Sequence, residues 1–188
     1  FGPIAGAICA AIGKFIGQIL APHTAWLGIG TFLVGTVNAF VTGMVSRKRW
    51  YWAIGIIGVG WVLWYTTEIG RGAPIFPLVF YSLGIIAALA GGLYGARKLT
   101  SDSNLFRGVG IFLAVYAGFV GAAAVANYFG ILLLQIPTNV WKGLVFVSPW
   151  ERAIFSLGSA IIGVPLLIGL PKIGVFVGPE FDKEEDLE

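Results

Sequence analysis

The sequence predicts an all-α integral membrane protein, a bundle of about six transmembrane helices with both termini in the cytoplasm. Three observations predict it. Hydrophobic residues make up 57% of the 188-residue chain and charged residues only 11%, against a charged share of roughly 25% in soluble domains. The apolar residues gather into six long stretches, each near the length at which a helix crosses a bilayer core of ~30 Å. Basic residues gather in alternate loops, as the positive-inside rule requires. The first observation alone excludes disorder, a collagen-like chain and most cytosolic enzymes.

The stretches are residues 2–21, 25–45, 51–66, 75–96, 109–135 and 149–170. Backbone groups in lipid must bond within their own segment, so unbroken apolar runs mean helices, and no alternating ten-residue strands suggest a barrel. The first stretch carries Gly2/Gly6, Ala7/Ala11 and Gly13/Gly17, with Lys14 and Gln18 one turn apart inside it. The second carries Asn38 and ends at Arg47, Lys48 and Arg49, beside Trp50, Tyr51 and Trp52, which form an inner aromatic belt. Trp26, Trp64, Tyr65, Trp141 and Trp150 form the outer one. The fourth stretch holds Gly84, Ala88 and Gly92. The fifth holds Gly110, Ala114, Gly118, Ala122, Ala126 and Gly130 at a spacing of four, a smooth stripe for close helix packing. A long outer loop is expected over 135–152. Ser148, Pro149 and Glu151 then predict a capping box that opens the last helix, and Pro165 should kink or loosen its end.

Arg47, Lys48, Arg49, Arg97, Lys98 and Arg107 fall in the two loops on one side, against Arg71, Lys142 and Arg152 on the other. This majority puts both termini and those two loops inside. The net charge of +3 conceals an acidic end: residues 173–188 hold six of the nine acidic groups. That segment is expected to be a disordered cytoplasmic tail behind a transmembrane domain of residues 1–172. Phe1 rather than Met opens the chain, which suggests a trimmed start, and no basic stretch marks a signal peptide. An extra helix upstream would put the true N-terminus outside. The basic residues sit at the ends of apolar segments, so they point to a bilayer and not to nucleic acid.

Little in the sequence is built for catalysis. The single Cys9 and single His23 leave no internal disulfide, no Cys/His zinc site and no nucleophile–base arrangement. There is no paired-Asp metal motif, and Gly55, Gly58 and Gly60 lack the Lys-Ser/Thr of a phosphate loop. The first five segments hold no carboxylate for a proton relay. No cofactor and no metal are expected. Lys14, Gln18, Asn38 and Asn127 are the intramembrane polar groups, and Lys14 is expensive enough in hydrocarbon to need protein, water or a partner. Polar and aromatic side chains converge instead on the outer loops: His23 and Trp26; Glu68 and Arg71; Asn139, Trp141, Lys142 and Trp150. Apolar walls with a few oriented polar groups are the composition of a small-ligand pocket, and Trp and Tyr would stack on a flat ligand.

Three stretches resemble a known family. They are Phe1-Gly2-Pro3-Ile4-Ala5-Gly6-Ala7 running into Gly13-Lys14-Phe15-Ile16-Gly17; Gly28-Ile29-Gly30-Thr31-Phe32-Leu33-Val34-Gly35 before the basic cluster; and Trp150-Glu151-Arg152-Ala153-Ile154-Phe155-Ser156 through Ile162-Gly163-Val164-Pro165. The chain resembles the substrate-binding S components of energy-coupling factor transporters. The resemblance implies capture of a vitamin or related micronutrient outside the cell membrane, with a transmembrane scaffold subunit and ATPase subunits driving uptake and no chemistry in this chain. It implies a ligand site at Trp64, Glu68, Arg71, Tyr81, Asn127, Trp141 and Glu151, and a docking step for the scaffold at Ala7 and Ala11. Two alternatives stand beside it. One is a membrane-embedded enzyme or lipid-handling protein using Lys14, Glu68 and Arg71. The other is a structural membrane protein with no small ligand.

Overall fold

A computed structural model describes residues 2–175 of the 188. Phe1 and most of the acidic tail, residues 176–188, lie outside the described residues. All regular elements among the described residues are helical. Helix α1 (Pro3–Leu20) is followed by short 3-10 turns, then α2 (Thr31–Ser46) and α3 (Trp50–Thr66). A five-residue helix, α4 (Glu68–Gly72), leads to α5 (Ile75–Ala90), which continues through a π turn (Gly91–Gly95) into α6 (Ala96–Lys98). Helices α7 (Asn104–Leu134) and α8 (Thr138–Gly169) complete the bundle, and a 3-10 turn follows at Leu170–Ile173.

Five helical spans are long and apolar enough to cross a membrane: Pro3–Leu20, Gly28–Ser46, Ile75–Lys98, Asn104–Leu134 and Thr138–Ile173. Their outward faces carry large apolar side chains such as Ile8, Ile12, Leu78, Ile86, Ile154 and Ile161. This is the build of a multi-pass helical membrane protein. The third predicted segment does form as α3, but its 17 residues reach about 25 Å, short of the ~30 Å core.

Helix α7 is the axis of the bundle and packs on α2, α3, α5 and α8. The small-residue stripe explains how four helices reach one. A methyl group on Gly110 would sit 2.6 Å from the Gly95 carbonyl oxygen, and one on Gly60 of α3 would sit 2.6 Å from the Ala124 Cβ. Close approach of backbones supplies the dispersion contact that the hydrophobic effect cannot supply in lipid. The fully buried core lies between α2, α3, α5 and α7, around Val41, Val45, Ile57, Phe80 and Val120.

The loop expected over 135–152 is corrected. Helix α8 starts at Thr138, after the residue pair Ile136–Pro137, and runs 32 residues with Pro149 and Pro165 inside it. Ser148 is buried within the helix, so no capping box opens there. The apolar run from Gly143 to Val147 continues the helix instead of interrupting it. Pro149 lacks the N–H that would bond the Val145 carbonyl, a defect that membrane helices tolerate. The helix passes Pro165 as well and tightens only after Gly169. Helix α7 likewise begins five residues before the expected start at 109, because Ser103 is extended and Arg107 N–H already donates to its carbonyl at 3.1 Å. The turn between α2 and α3 is tight, with Lys48 in the left-handed region at φ 63°. There Arg49 N–H donates to the Met44 carbonyl at 2.9 Å, which closes the end of α2.

Candidate functional site

Successive helices run antiparallel, so the bundle has two ends. One end gathers Arg47, Lys48, Arg49, Arg97, Lys98, Arg107 and Lys172. The opposite end holds the loops around His23, Glu68 and Gln135. Two places in the molecule are candidates, one toward each end.

At the non-basic end the structure brings together four of the seven predicted ligand residues: Trp64, Tyr81, Trp141 and Asn127. The Trp64 ring stacks on Phe76 with centroids 5.1 Å apart and meets Trp141 edge-on at 4.9 Å and Tyr81 at 6.4 Å. Asn127 Nδ2 donates to the Tyr81 hydroxyl at 3.4 Å. The rings pack against one another, and both indoles are hydrogen-bonded within the chain. Trp64 Nε1 donates to the Gly70 carbonyl at 2.8 Å and Trp141 Nε1 to the Ile136 carbonyl at 3.1 Å. The cluster ties α3, α4, α5 and α8 together.

Glu68, Arg71 and Glu151 stand apart from it, all exposed. Thr67 caps α4 by accepting from Gly70 N–H at 3.0 Å, and Glu68 begins that helix. Arg71 donates to the Tyr65 and Thr66 carbonyls at 3.1 and 3.3 Å, closing the C-terminus of α3. Glu151 lies 3.8 Å from Arg152. The Arg152 guanidinium lies over the Phe119 ring, 5.6 Å from its centroid. Of the docking pair, Ala7 is buried and Ala11 half-buried. Helix α1 packs lengthwise on α2, so that neighbour already covers Ala7.

The second place is a cavity of about 1280 Å³ between α1, α2, α7 and α8. Its α1 wall is nearly bare backbone: Gly2, Gly6, Ala10, Gly13 and Gly17 fall on one face with Lys14. A methyl group at Gly6, Gly13 or Gly17 would meet nothing within 4 Å. These glycines therefore border open space and do not seat a neighbouring helix. The α2 wall supplies Asn38, Thr42 and Ser46, and Thr42 Oγ1 donates to Asn38 Oδ1 at 3.3 Å. The apolar wall comes from Phe119 of α7 and Leu166 and Leu167 of α8.

Three cations line this cavity: Lys14, Arg47 and Arg107. The Lys14 stem lies across Gly35, where an added Cβ would be 2.7 Å from its Cγ; the Arg47 guanidinium likewise lies over Gly2, with Nη2 2.7 Å from a Cβ built there. Arg47 and Arg107 are half-buried, whereas Lys48, Arg49, Arg97 and Lys98 in the same loops are exposed. Among the described residues that line the cavity none is acidic. In the sequence Lys14 stands out through its cost in hydrocarbon. Arg47 and Arg107 stand there only as markers of orientation, since nothing in a basic cluster says which members turn inward. Among the described residues no group of His, Cys, Asp and Glu could hold a metal ion.

No protein-family model matches the chain, and no solved structure matches it. It is similar to the uncharacterized protein MJ0923 of Methanocaldococcus jannaschii, with 23% identity over 159 residues covering 85% of this chain and 53% of that protein. The chain thus spans about half the length of the curated relative it matches.

Proposed function

We propose that this chain is a membrane-embedded binding protein that holds a small amphiphilic molecule in the cleft between α1–α2 and α7–α8 and handles it without chemical conversion. The observation that carries the reading is the 1280 Å³ cavity between the helices, somewhat larger than established ligand pockets, which run to about 1,000 Å³. Its walls pair bare glycine backbone and leucine with Asn38, Thr42 and three cations, apolar surface with a few orienting polar groups. In this reading all six apolar segments cross the cell membrane, α3 included, and both termini lie in the cytoplasm. The cleft then opens from the basic, cytoplasmic side, which favours a molecule reached from that leaflet over capture at the outer loops.

A second reading is capture of a vitamin-like molecule for ATP-driven uptake with a scaffold subunit and ATPase subunits. What favours it is the placement of α1 at the margin of the bundle, with Ile4, Ile8, Ile12, Phe15 and Ile19 exposed on a face that a scaffold could cover. One experiment addresses both. The purified protein and its Gly13→Leu variant are melted with a panel of lipids, acyl amphiphiles and vitamins. A ligand that raises the melting temperature of the parent and not of Gly13→Leu supports the cleft. A ligand acting equally on both, together with copurifying ATPase subunits, supports the second reading. No response to any compound removes both.

A further inference from the structure

Lys14 does not snorkel. It lies six residues from the end of α1 at Leu20 and eleven from its start at Pro3, so the nearer membrane surface is the one beyond Leu20. Side chains on a helix lean toward its N-terminus, which is here the longer way out. The packing of α1 on α2 records the same direction. A Cβ built on Gly43 would lie 2.7 Å from the Pro3 Cα, and the Phe15 ring meets Phe32 with centroids 5.7 Å apart. This antiparallel register puts the Lys14 backbone beside the start of α2. Its stem instead lies against Gly35, where an added Cβ would be 2.7 Å from Cγ and 3.3 Å from Cε, about one turn deeper in the bundle. Gln18, on the same face of α1 toward the near surface, keeps its Oε1 buried with no donor, so Lys14 leaves that acceptor unused. The lysine lines the cavity. Among the described residues its ammonium has no hydrogen bond and no ion pair, and a cation at such depth needs water, a partner or an anion.

Asn38 stands one turn beyond Gly35 on the same face of α2 and lines the same cavity. Its Oδ1 accepts from Thr42 Oγ1 at 3.3 Å, and both oxygens lie against Gly118 of α7, where an added Cβ would collide with them. The amide oxygen is therefore used, and the Nδ2 donors have no acceptor among the described residues. An unpaired ammonium and a free amide nitrogen on one apolar cleft make a site for an anion. A single ammonium neutralises a single charge. A phosphate monoester carries roughly −1.5 to −2 at neutral pH and would leave charge uncompensated beside Lys14. A carboxylate carries one, and its two oxygens accept from both donors. From Lys14 toward the basic end the walls include Gly6 and Ala10 of α1, Ile111 and Val115 of α7 and Leu166 of α8, room for an apolar body. Helices α1 and α8 share no extended contact. Gly13 and Leu166 line the cavity and are also exposed, so the cleft opens sideways, toward the position of lipid.

We propose that the cleft binds an apolar monocarboxylate, its carboxylate held by Lys14 Nζ and Asn38 Nδ2, its body lying between the glycine face of α1 and the apolar walls of α7 and α8, and its entry through the open side between α1 and α8. This rests on the binding reading above and names the chemistry of the ligand. The carboxylate neutralises the one cation that points inward from mid-helix, and the apolar body covers the bare backbone of α1.

The test uses the full chain purified in a maltoside detergent. Decanoate, decanol and butanoate are titrated by calorimetry. Decanoate is expected to bind saturably, and the other two at least about tenfold more weakly, decanol for want of the charge and butanoate for want of apolar surface. Lys14→Met keeps the stem over Gly35 and removes the charge. It is expected to lower decanoate affinity by at least about tenfold, the value of a charge-assisted hydrogen bond lost, and to raise the melting temperature of the ligand-free protein, since an uncompensated cation is gone. Lys142→Met, the same change at an exposed residue outside the cavity, should leave affinity within about twofold. Asn38→Asp sets a fixed carboxylate on the cleft near Lys14 and should abolish decanoate binding. Melting of each variant checks that it folds, and the comparison of ligands on the parent chain stands without any variant. Unchanged decanoate affinity in a folded Lys14→Met overturns the proposal. Decanol binding as tightly as decanoate, and blocked by Gly13→Leu, overturns the carboxylate and leaves the binding reading standing. Butanoate binding as tightly as decanoate overturns the bilayer source and assigns Lys14 to a water-soluble carboxylate. If none of the three binds, the monocarboxylate is overturned, and the compound panel above then decides the binding reading by itself.

Discussion

Trp64 shows how one side chain can serve as a fastener where the sequence suggests a binding surface. Its ring has no exposure; it touches Phe76, Tyr81 and Trp141, and its N–H is bonded to Gly70. Removing the ring opens a large void in a close-packed cluster. Trp64→Ala is expected to lower stability by about 3–5 kcal/mol, read from denaturation followed by circular dichroism in detergent. Trp64→Phe retains most of the apolar contact and removes one of two hydrogen bonds to the Gly70 carbonyl, which still accepts from Ala73 N–H at 3.1 Å, and is expected to lose about 0.5–1.5 kcal/mol. If Trp64→Ala leaves stability unchanged and instead abolishes ligand binding, the ring is a recognition surface and the fastener account fails. Arg71 follows the same logic, because its guanidinium closes the end of α3. These residues attract a functional reading because tryptophan, arginine and polar groups converge in sequence on one side. Which of them face a void and which face each other depends on ring packing, and neither composition nor spacing encodes that.

Helix by helix, the sequence is legible where a single physical rule dominates and misleading where two compete. Hydropathy finds six apolar stretches and each contains a helix, five of them in spans long and apolar enough to cross a membrane, because the backbone in lipid has no alternative to the helix. Ser148-Pro149 is a strong local cap signal and misplaces the start of the last helix, because the apolar run before it continues the helix from Thr138. Glycines divide in the same way. Gly60 and Gly55 look alike in sequence, but an added methyl at Gly60 would collide with Ala124 at 2.6 Å and one at Gly55 would meet nothing within 4 Å. Gly60→Ala is therefore expected to destabilise the α3–α7 contact by about 1–3 kcal/mol. Gly55→Ala should be neutral or slightly stabilising, by up to about 1 kcal/mol, through helix propensity. Matched melting curves of the two variants check this, and equal effects would contradict the close approach of α3 to α7. The glycines of α1 belong with Gly55. Small residues at helical spacing announce a smooth face, but only a neighbour's position tells whether the face is packed or left open as a wall.

At the scale of the whole molecule, the position of α3 decides the topology. Its 17 residues make a helix of about 25 Å, a few ångströms less than the ~30 Å core. Yet it packs on α5 and α7, with Ala53, Ile57, Gly60 and Trp64 buried along one side and Val59 and Val62 exposed on the other. In the six-crossing reading α3 stays beside its two longer neighbours, since withdrawing it would expose that buried face. The mismatch is more easily absorbed by local bilayer thinning, at fractions of a kcal/mol per Å. The basic cluster before α3 and the Glu68–Arg71 helix after it should then lie on opposite sides of the membrane. In a Cys9→Ala background, single cysteines at His23, Lys48, Glu68, Asp102 and Asn139 report each loop. All five parent residues are exposed, so each new thiol should react readily from its own side. The expected pattern in intact cells is labelling at His23→Cys, Glu68→Cys and Asn139→Cys by an impermeant reagent, with Lys48→Cys and Asp102→Cys reacting only after the membrane is opened. That pattern places the mouth of the cleft, with Arg47 and Arg107, in the cytoplasmic leaflet. If Glu68→Cys reacts with the same side as Lys48→Cys, α3 does not cross. The inverse of the whole pattern keeps six crossings but turns the arginines outward, and a ligand for the cleft would then have to come from the other leaflet.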